Sequence, residues 1–540
     1  MKKSVWGLTP RNLEQAMALH LLANDDVDMA ILTGPAGSGK TELLIQRYLK
    51  LLTSVSQPEE VVAITFTNKA ANEMKQRVLS AIAEATSGIK PSEAHQITTY
   101  QYANEVLKRD KKRGWNLLHA HKRMKILTLD SLCSDIVNKS PITSKFGFGK
   151  KLLSDHELKS IYRLAAISSL NLLSEDLNDT SDVEKLLIHL DGSLYRYIDY
   201  LEKMLGMRDQ WMDIIGSGAN LDETNQNKLR NQLEQNIQNL IIDHHSKLIS
   251  LFPENLFLRL PNIFDYIKEN NTNFVNLPEL TSITMLNAYN DNDTWCSIAD
   301  LLLTKSGSWR KTVNKNNGFP LDAKQEKKEI KDIIDHLANV DNLEEALHSI
   351  RSLPNPNYDD QQWEILITLF RLLPYVVAEL KNIFAQKNVA DFIEMADCAR
   401  LALGDGESPT DLALIMDYKL KHILVDEMQD TSTRQYQFLE ALTRGWEEQD
   451  ERTLFLVGDP MQSIFRFRNA QVSQFLVCSN KGIGDISLNY LVLNNNYRSG
   501  TELVNQFNRT FMKVFPDSED LIRGAVTYAK AISGRGQINL

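Results

Sequence analysis

The chain has 540 residues, 43% of them hydrophobic, and a formal net charge of −10. This length allows two to four domains with buried cores. No stretch approaches the ~18 consecutive apolar residues of a membrane span, and the first residues lack the apolar segment of a secretory signal, so we expect a cytoplasmic protein without a membrane partner. The cysteines lie far apart with no CxxC pair, which predicts reduced thiols rather than a disulfide framework or a metal cluster. They are Cys133, Cys296, Cys398 and Cys478.

Three segments with different patterning follow one another along the chain. Residues 1–137 alternate short apolar runs such as VVAITF with helical patterns, which is typical of β–α–β units. From 138 to 395 long polar–apolar stretches at helical spacing predict a mostly helical segment. After 396 the strand-like runs HILVDE, TLFLVGD and YLVLNNN return. The pattern predicts an α/β fold whose parallel sheet is interrupted by a large helical insertion and then completed.

A glycine-rich turn follows the first apolar run. The segment GPAGSGKT fits the pattern G-x-x-x-x-G-K-[ST] between a predicted strand and a predicted helix. Backbone N–H groups in such a turn, together with the helix N-terminus, form a cradle for phosphate oxygens. We expect Lys40 to reach the β- and γ-phosphates and the Thr41 hydroxyl to bind Mg²⁺, so the predicted ligand is a nucleoside triphosphate. The predicted binding residues are Gly34, Pro35, Ala36, Gly37, Ser38, Gly39, Lys40 and Thr41.

Two acids end a second apolar run, HILVDE. Asp426 and Glu427 therefore fall at the carboxyl edge of the predicted sheet, where open α/β folds bind ligands. We expect Asp426 to hold Mg²⁺ and Glu427 to orient and deprotonate an attacking water. A hydrolase needs that base, whereas a kinase that transfers to a substrate does not.

One local cluster of basic residues stands out against the acidic balance of the chain. It surrounds Trp115 in the stretch LKRDKKRGWNLLHAHKRMK. A solvated helix face and a phosphate-contacting surface are both open interpretations of this cluster. Its members are Lys108, Arg109, Lys111, Lys112, Arg113, Lys122, Arg123 and Lys125.

The acidic motif DEMQD resembles the D-E-x-Q-D motif of the UvrD/Rep-type superfamily 1 DNA helicases, and further motifs match in order. The resemblance implies ATP as the nucleotide and a RecA-like P-loop core. RNLEQ is similar to the family's adenine-reading element, which implies that Gln15 bonds the base. GDPMQS implies that Gln462 senses the γ-phosphate. NNNYRS implies that Tyr497 stacks on adenine and that Arg498 contacts the γ-phosphate.

The same resemblance implies contacts with DNA. TFTNKAANEMKQRV is close to the family's second motif, and IFRFR lies in its third. Phenylalanines beside arginines suit single strands of any sequence, because stacking is worth roughly 1–3 kcal/mol per base. Core packing of alternate residues on a strand is the other interpretation of the two phenylalanines in IFRFR. The implied DNA contacts are Thr65, Phe66, Asn68, Lys69, Phe465 and Phe467, and Arg468 is implied to bridge to the nucleotide.

Further details resemble the RecB/AddA branch, in which a helical domain interrupts the first core domain. The predicted domains are therefore a first RecA-like domain in two parts, 1–137 and 396–485, a helical insertion, 138–395, and the start of a second RecA-like domain, 486–540. Three features depart from the family pattern. Asp130 stands where the family has histidine, Asn469 and Gln471 replace glycine and aspartate, and the last family motifs have no counterpart.

Two functions remain open on this pattern. The first is an ATP-dependent helicase or translocase on single-stranded or partly duplex DNA, moving 3′ to 5′ by resemblance, whose second lobe lies on a longer chain or a partner and which alone hydrolyses ATP weakly. A nuclease partner is also possible in this branch. The alternative is a nucleotide-gated DNA-binding or scaffold subunit of a repair or phage-defence complex. An RNA helicase fits poorly, because the motif continues Met428-Gln429-Asp430 rather than Ala-Asp.

Overall fold

The computed structural model describes residues 29–92, 94–174, 182–215, 222–270, 286, 288–404, 410–447, 450–464, 471–516, 519 and 524–534. The chain forms two compact units. The sheet unit draws on residues 1–168, 198–214 and 376–540, and the helical unit draws on 169–197 and 215–375. The four domain ranges drawn from the sequence stay a prediction.

Ten strands occur in the part of the chain that the structure describes. They are β1 (Met29–Thr33), β2 (Val61–Thr65), β3 (Lys125–Thr128), β4 (Lys151–Leu152), β5 (Val389–Ala390), β6 (His422–Val425), β7 (Thr453–Gly458), β8 (Asn489–Val492), β9 (Asn495–Asn496) and β10 (Ile532–Ser533). Six of these form one parallel sheet in the order β3-β2-β6-β7-β1-β8. The parallel α/β fold expected from the sequence is confirmed, and the late strands β6 and β7 complete the sheet between β2 and β1.

Some helices belong to the unit that contains this sheet, and the others form the helical unit. In chain order those with described bounds are α1 (Lys40–Ser54), α2 (Asn68–Ser87), α3 (Ala94–Arg113), α4 (Leu129–Lys139), α5 (Asp155–Ser168), α6 (Asp182–His189), α7 (Leu194–Gly206), α8 (Arg208–Ile215), α9 (Glu223–Leu251), α10 (Glu254–Phe257), α11 (Leu260–Asn270), α12 (Asn292–Leu302), α13 (Lys324–Leu337), α14 (Leu343–Ile350), α15 (Asp360–Lys387), α16 (Phe392–Leu403), α17 (Asp411–Lys419), α18 (Thr433–Leu442), α19 (Val472–Lys481) and α20 (Thr501–Phe511). None of the described helices is long and apolar enough to span a lipid bilayer.

Local sequence sets the ends of the helices near the sheet. The Thr67 hydroxyl accepts from the Ala70 N–H at 3.1 Å, so it caps α2, and Gly88 ends that helix in the left-handed region. Ser432 caps α18 in the same way, with Gln435 closing a capping box. These caps fix where each helix leaves the edge of the sheet.

Two cores cover the two faces of the sheet, as a parallel sheet requires. Alternate residues of β1 serve opposite faces: Ile31 packs in one core and Leu32 in the other. Trp115 is buried in the second core, so its indole is not offered to a ligand. The helical unit has a separate core around Trp295 and Phe257.

Two arginines of the predicted basic cluster have structural partners. Arg109 donates to the carbonyl oxygens of Ser54 and Val55 at 2.8 Å, which secures the end of α1. Arg123 forms an ion pair with Glu59 at 2.8 Å. The lysines of the cluster on α3 are exposed, so both interpretations remain open for them.

A buried ion pair joins α8 to the start of α16 within the sheet unit. Arg208 and Asp391 are both fully or almost fully buried, and two guanidinium nitrogens reach the two carboxylate oxygens at 2.6 Å each. The Tyr162 hydroxyl donates to the same carboxylate at 2.7 Å, and Asp391 also accepts from the Glu394 N–H at 2.7 Å. Burial alone would raise the pKa of Asp391, but Arg208 and these donors hold it below its usual value.

We expect Arg208→Met to destabilise the chain by about 3–5 kcal/mol, because it leaves the buried Asp391 charge without its partner. Urea unfolding of the full chain measures this loss. Arg77→Met is the matched control, since Arg77 pairs with Glu73 on the exposed side of α2 and its loss should cost less than about 0.5 kcal/mol. Equal stability of the two variants would contradict the role given to Arg208.

The buried His422 in β6 should make the chain less stable in acid. The side chain is buried with Nδ1 3.0 Å from the Thr453 hydroxyl, and burial, followed by the nearby Arg47 and Lys421, lowers its pKa to about 3. The unfolded chain binds a proton at the ordinary value near 6.5, so below that pH protons favour unfolding, by at most ~1.4 kcal/mol per pH unit, until about pH 3. We expect His422→Gln to flatten the fall in unfolding free energy between pH 6.5 and 4.5. The exposed His119→Gln should leave the wild-type slope unchanged.

Candidate functional site

The candidate site lies where three neighbouring strands end. β6, β7 and β1 are adjacent and parallel, so their carboxyl ends meet at one edge of the sheet. Asp426 follows β6, Asp459 follows β7, and the glycine-rich turn follows β1. Residues from distant parts of the sequence are thereby brought to one place, as expected for ligand sites of open α/β sheets.

The glycine-rich turn has the conformation that its sequence predicts. Gly37 and Gly39 have φ of 80° and 88°, and α1 begins at Lys40. The Lys40 ammonium donates to the Gly34 carbonyl and to the Pro35 carbonyl at 3.3 Å. Among the described residues the buried Ser38 hydroxyl has no hydrogen-bond partner, so a polar group in the turn remains for a ligand. This arrangement fits a phosphate cradle.

Lys40 forms an ion pair with Asp459. Its Nζ lies 4.0 Å from Asp459 Oδ2, and the side chains are 10% and 2% exposed. Burial lowers the pKa of Lys40, while Asp459, Glu427 and Asp426 act in the opposite direction. The nearby acids thus favour the charged form of Lys40, which is the form that attracts an anionic ligand.

The acidic pair differs in its two members. Burial and then the neighbouring Glu427 raise the pKa of Asp426 to about 6. The Glu427 N–H donates to Asp426 Oδ1 at 3.1 Å, and Glu427 itself has φ of 54°, a left-handed conformation that is strained for a residue with a side chain. Thr41, on the first turn of α1, and Asp426 offer a hydroxyl and a carboxylate, the oxygen ligands that Mg²⁺ prefers.

Asp459 is a site residue that the sequence reasoning did not single out. It is buried, its carboxylate accepts from the Gln462 side chain and from the Met461 N–H at 3.1 Å, and it faces Lys40. Burial raises its pKa, against the effect of Lys40 and Gln462. The signal was present, because Asp459 follows a buried strand in the same way as Asp426 does.

The segment containing Tyr497 and Arg498 packs against the glycine-rich turn. The Tyr497 N–H donates to the Gly37 carbonyl at 2.9 Å, and a Cβ on Gly37 would lie 2.6 Å from Arg498 Cβ. Asn496 Oδ1 accepts from the N–H groups of Arg498 and Ser499 at 2.9 Å each. Both predicted nucleotide contacts of this segment therefore lie beside the predicted phosphate cradle.

The predicted DNA-contacting residues of the second motif lie at the end of β2 and the start of α2. Thr65 ends β2 and is buried, with its hydroxyl donating to the Thr67 carbonyl at 3.2 Å. Phe66 is half-buried, and Asn68 and Lys69 are exposed at the start of α2. Four predicted site residues lie outside the described part of the chain: Gln15, Phe465, Phe467 and Arg468. Asn469, a departure from the family pattern, also lies outside it.

Two departures from the family pattern have partners within the sheet unit. Asp130 accepts from the Gln435 side chain at 2.8 Å, so this carboxylate binds α18. The Gln471 N–H donates to the Thr431 carbonyl at 3.2 Å, just after the acidic motif. Both residues are therefore part of the packing around the site.

Comparison with known proteins agrees with the predicted resemblance. Residues 14–482 match the family described as UvrD/REP helicase N-terminal domain. Similar curated proteins include an ATP-dependent helicase/nuclease subunit of Exiguobacterium sibiricum, at 23% identity over 90% of this chain and 39% of the relative. The corresponding proteins of Oceanobacillus iheyensis and Clostridium botulinum are each 24% identical, over 96% and 90% of this chain and 40% and 38% of their own lengths. The chain thus spans about two fifths of the length of the curated relatives that it matches.

We expect Gly37→Ala to weaken binding of a fluorescent ATP analogue by at least about tenfold, ~1.4 kcal/mol, because the added methyl would displace Arg498 from the glycine-rich turn. Gly88→Ala is the control: Gly88 also has a positive φ, 72°, but a Cβ there meets nothing within 4 Å. That variant should lose some stability and keep its affinity. Equal affinities in the two variants would show that the close approach at Gly37 does not matter for the ligand.

Proposed function

This chain belongs to the UvrD/REP helicase family, and on that premise we propose that it binds and hydrolyses ATP to drive a DNA helicase or translocase on single-stranded or partly duplex DNA in repair or recombination. One observation carries the proposal: Lys40, Asp426 with Glu427, and Asp459 with Gln462 converge at one edge of the sheet. A cation, two adjacent acids and an amide at one place suit the positioning and electrostatic stabilisation on which phosphoryl transfer to water depends.

Each residue has a separate role in the proposed hydrolysis. In the proposal, Lys40 and the N–H groups of the turn hold the β- and γ-phosphates, and Arg498 supplies further positive charge. Mg²⁺ bound at Thr41 and Asp426 would neutralise charge that develops on the phosphate oxygens. Glu427 orients the attacking water and accepts its proton. In the proposal Gln462, whose side chain donates to Asp459, senses the γ-phosphate.

Contact with DNA is proposed for the residues that follow β2. Asn68 and Lys69 are exposed at the start of α2, the helix that follows β2, and β2 is the neighbour of β6 in the sheet. A DNA strand bound there would lie at the same edge of the sheet as the nucleotide. A conformational change of the protein around ATP would then be transmitted to the DNA. The 3′ to 5′ direction and the stacking by Phe465 and Phe467 rest on family resemblance.

A larger assembly is part of the proposal. The similar curated proteins are named as one subunit of an ATP-dependent helicase/nuclease. We therefore propose DNA and a nuclease subunit or second helicase lobe as partners, and the cytoplasm as the compartment.

The first experiment is ATP hydrolysis by the purified chain with and without single-stranded DNA, beside Lys40→Ala and Glu427→Gln. We expect Lys40→Ala to lose binding of an ATP analogue. Glu427→Gln should keep binding and lose turnover by about 10²–10⁴-fold, because it removes only the base.

The same series separates the motor from the nucleotide-gated scaffold. A motor has DNA-stimulated turnover, expected to be weak in this chain alone, and loses it in Glu427→Gln. A scaffold shows no DNA-stimulated turnover and keeps ATP-dependent DNA binding in that variant. Turnover that persists in Glu427→Gln would overturn the role assigned to this carboxylate.

A further inference from the structure

Gln429 joins the two halves of the candidate site. Its side chain is 1% exposed, three residues after Asp426 in the turn that follows β6. The amide nitrogen donates to Glu427 Oε2 at 2.7 Å, and the amide oxygen accepts from the Asp459 N–H at 2.8 Å. One buried side chain thus bridges the end of β6 to the end of β7.

The partners fix the orientation of this amide. A carboxylate can only accept and a backbone N–H can only donate, so the nitrogen must face Glu427 and the oxygen must face Asp459. Both bonds involve buried groups, and the bond to the carboxylate is of the stronger, charge-assisted kind. Rotation of the amide by 180° would leave both partners unsatisfied.

Gly458 and Phe475 lie next to the Gln429 side chain. A Cβ on Gly458 would lie 2.8 Å from the Gln429 amide oxygen and 2.6 Å from the Phe475 ring, so only glycine lets the amide lie there. The Ser463 hydroxyl donates to the backbone carbonyl oxygen of Gln429 at 3.4 Å, which ties the backbone of this turn to the loop that carries Gln462. The side-chain amide oxygen itself lies close to β7 and the Phe475 ring of α19.

We infer that Gln429 is a positioning residue for the hydrolysis of ATP: it holds the Glu427 carboxylate in place and couples it to the Asp459–Gln462 side of the site. This inference rests on the proposed function. Glu427 is held in a strained left-handed conformation, which persists only where several contacts determine it. The hydrogen bond from the Gln429 amide nitrogen is a side-chain contact that holds its carboxylate. Asp459, at the other end of the bridge, contacts both Lys40 and Gln462.

Gln429→Met tests the inference, because methionine has a similar length and neither bond. Gln435→Met is a matched control: the Gln435 amide also donates to a carboxylate, Asp130, at 2.8 Å and accepts from a backbone N–H, that of Ser432, at 3.1 Å. We expect Gln429→Met to lower kcat by on the order of 10–100-fold, the cost of a misplaced catalytic group, with KM for ATP unchanged. Gln435→Met should lose similar stability and keep kcat.

Binding measurements make the test independent of a fast wild-type turnover. The probes are a fluorescent non-hydrolysable ATP analogue and fluorescent ADP with aluminium fluoride, both with Mg²⁺. Gln429→Met should bind the first as the wild type does and the second about tenfold or more weakly, because only the transition-state mimic uses a correctly oriented Glu427. Gln429→Asn, whose amide is too short to reach both partners, should behave in the same direction and guards against misfolding of the methionine variant.

The outcomes separate this inference from the proposed function. If the wild type binds neither probe, the proposed function is wrong and the inference fails with it. If the wild type binds both and the two Gln429 variants bind and hydrolyse as it does, only the inference is wrong. Equal losses for the two probes, or an equal loss of kcat in Gln435→Met, would reduce Gln429 to a packing residue.

Discussion

The ammonium group of Lys40 forms an ion pair with the buried Asp459 carboxylate, and the geometry of the site depends on this pairing of charges. The Lys40 side chain is only 10% exposed and the Asp459 side chain 2%, so neither charge is solvated by bulk water. Buried charges of one sign require partners of the other. The strands that precede Lys40, Asp426 and Asp459 are neighbours in the sheet, so the ammonium and the Asp459 carboxylate meet at the same edge. The sheet order thus supplies the partner that a charge shielded from water needs.

The sheet order explains why these groups come from distant parts of the sequence. β1 precedes the helical unit, whereas β6 and β7 follow it, yet β7 pairs with β1 over five residues from Met29 to Thr33. The chain thus returns to insert two strands between β2 and β1. The interaction of the Lys40 ammonium with Asp459 therefore exists only once the sheet is complete. The candidate site therefore forms only when the sheet is complete.

Motifs with a fixed backbone geometry could be predicted from the sequence, and contacts between distant side chains could not. The glycine-rich turn was predictable because its glycines, strand and helix are local, and the acid pair because it ends a buried strand. Asp459 also ends a buried strand, but the family motif points to Gln462 rather than to Asp459. Trp115 shows the opposite case: its basic neighbours are visible in the sequence, but its burial depends on α1, α2 and β3, which no local pattern includes.

The left-handed conformation of Glu427 connects stability to function. A residue with a side chain costs roughly 1–2 kcal/mol in this region, and here the backbone continues directly into a turn in which the Asp430 N–H donates to the Glu427 carbonyl at 3.0 Å. Relaxing the backbone would move the Glu427 carboxylate and disturb the 2.7 Å hydrogen bond that it accepts from the Gln429 amide nitrogen. The surrounding hydrogen bonds thus sustain a strained backbone at Glu427, the carboxylate to which the proposed mechanism gives the activation of water. Strain that is held by buried hydrogen bonds is a form of preorganisation, because the orientation is fixed before the substrate binds.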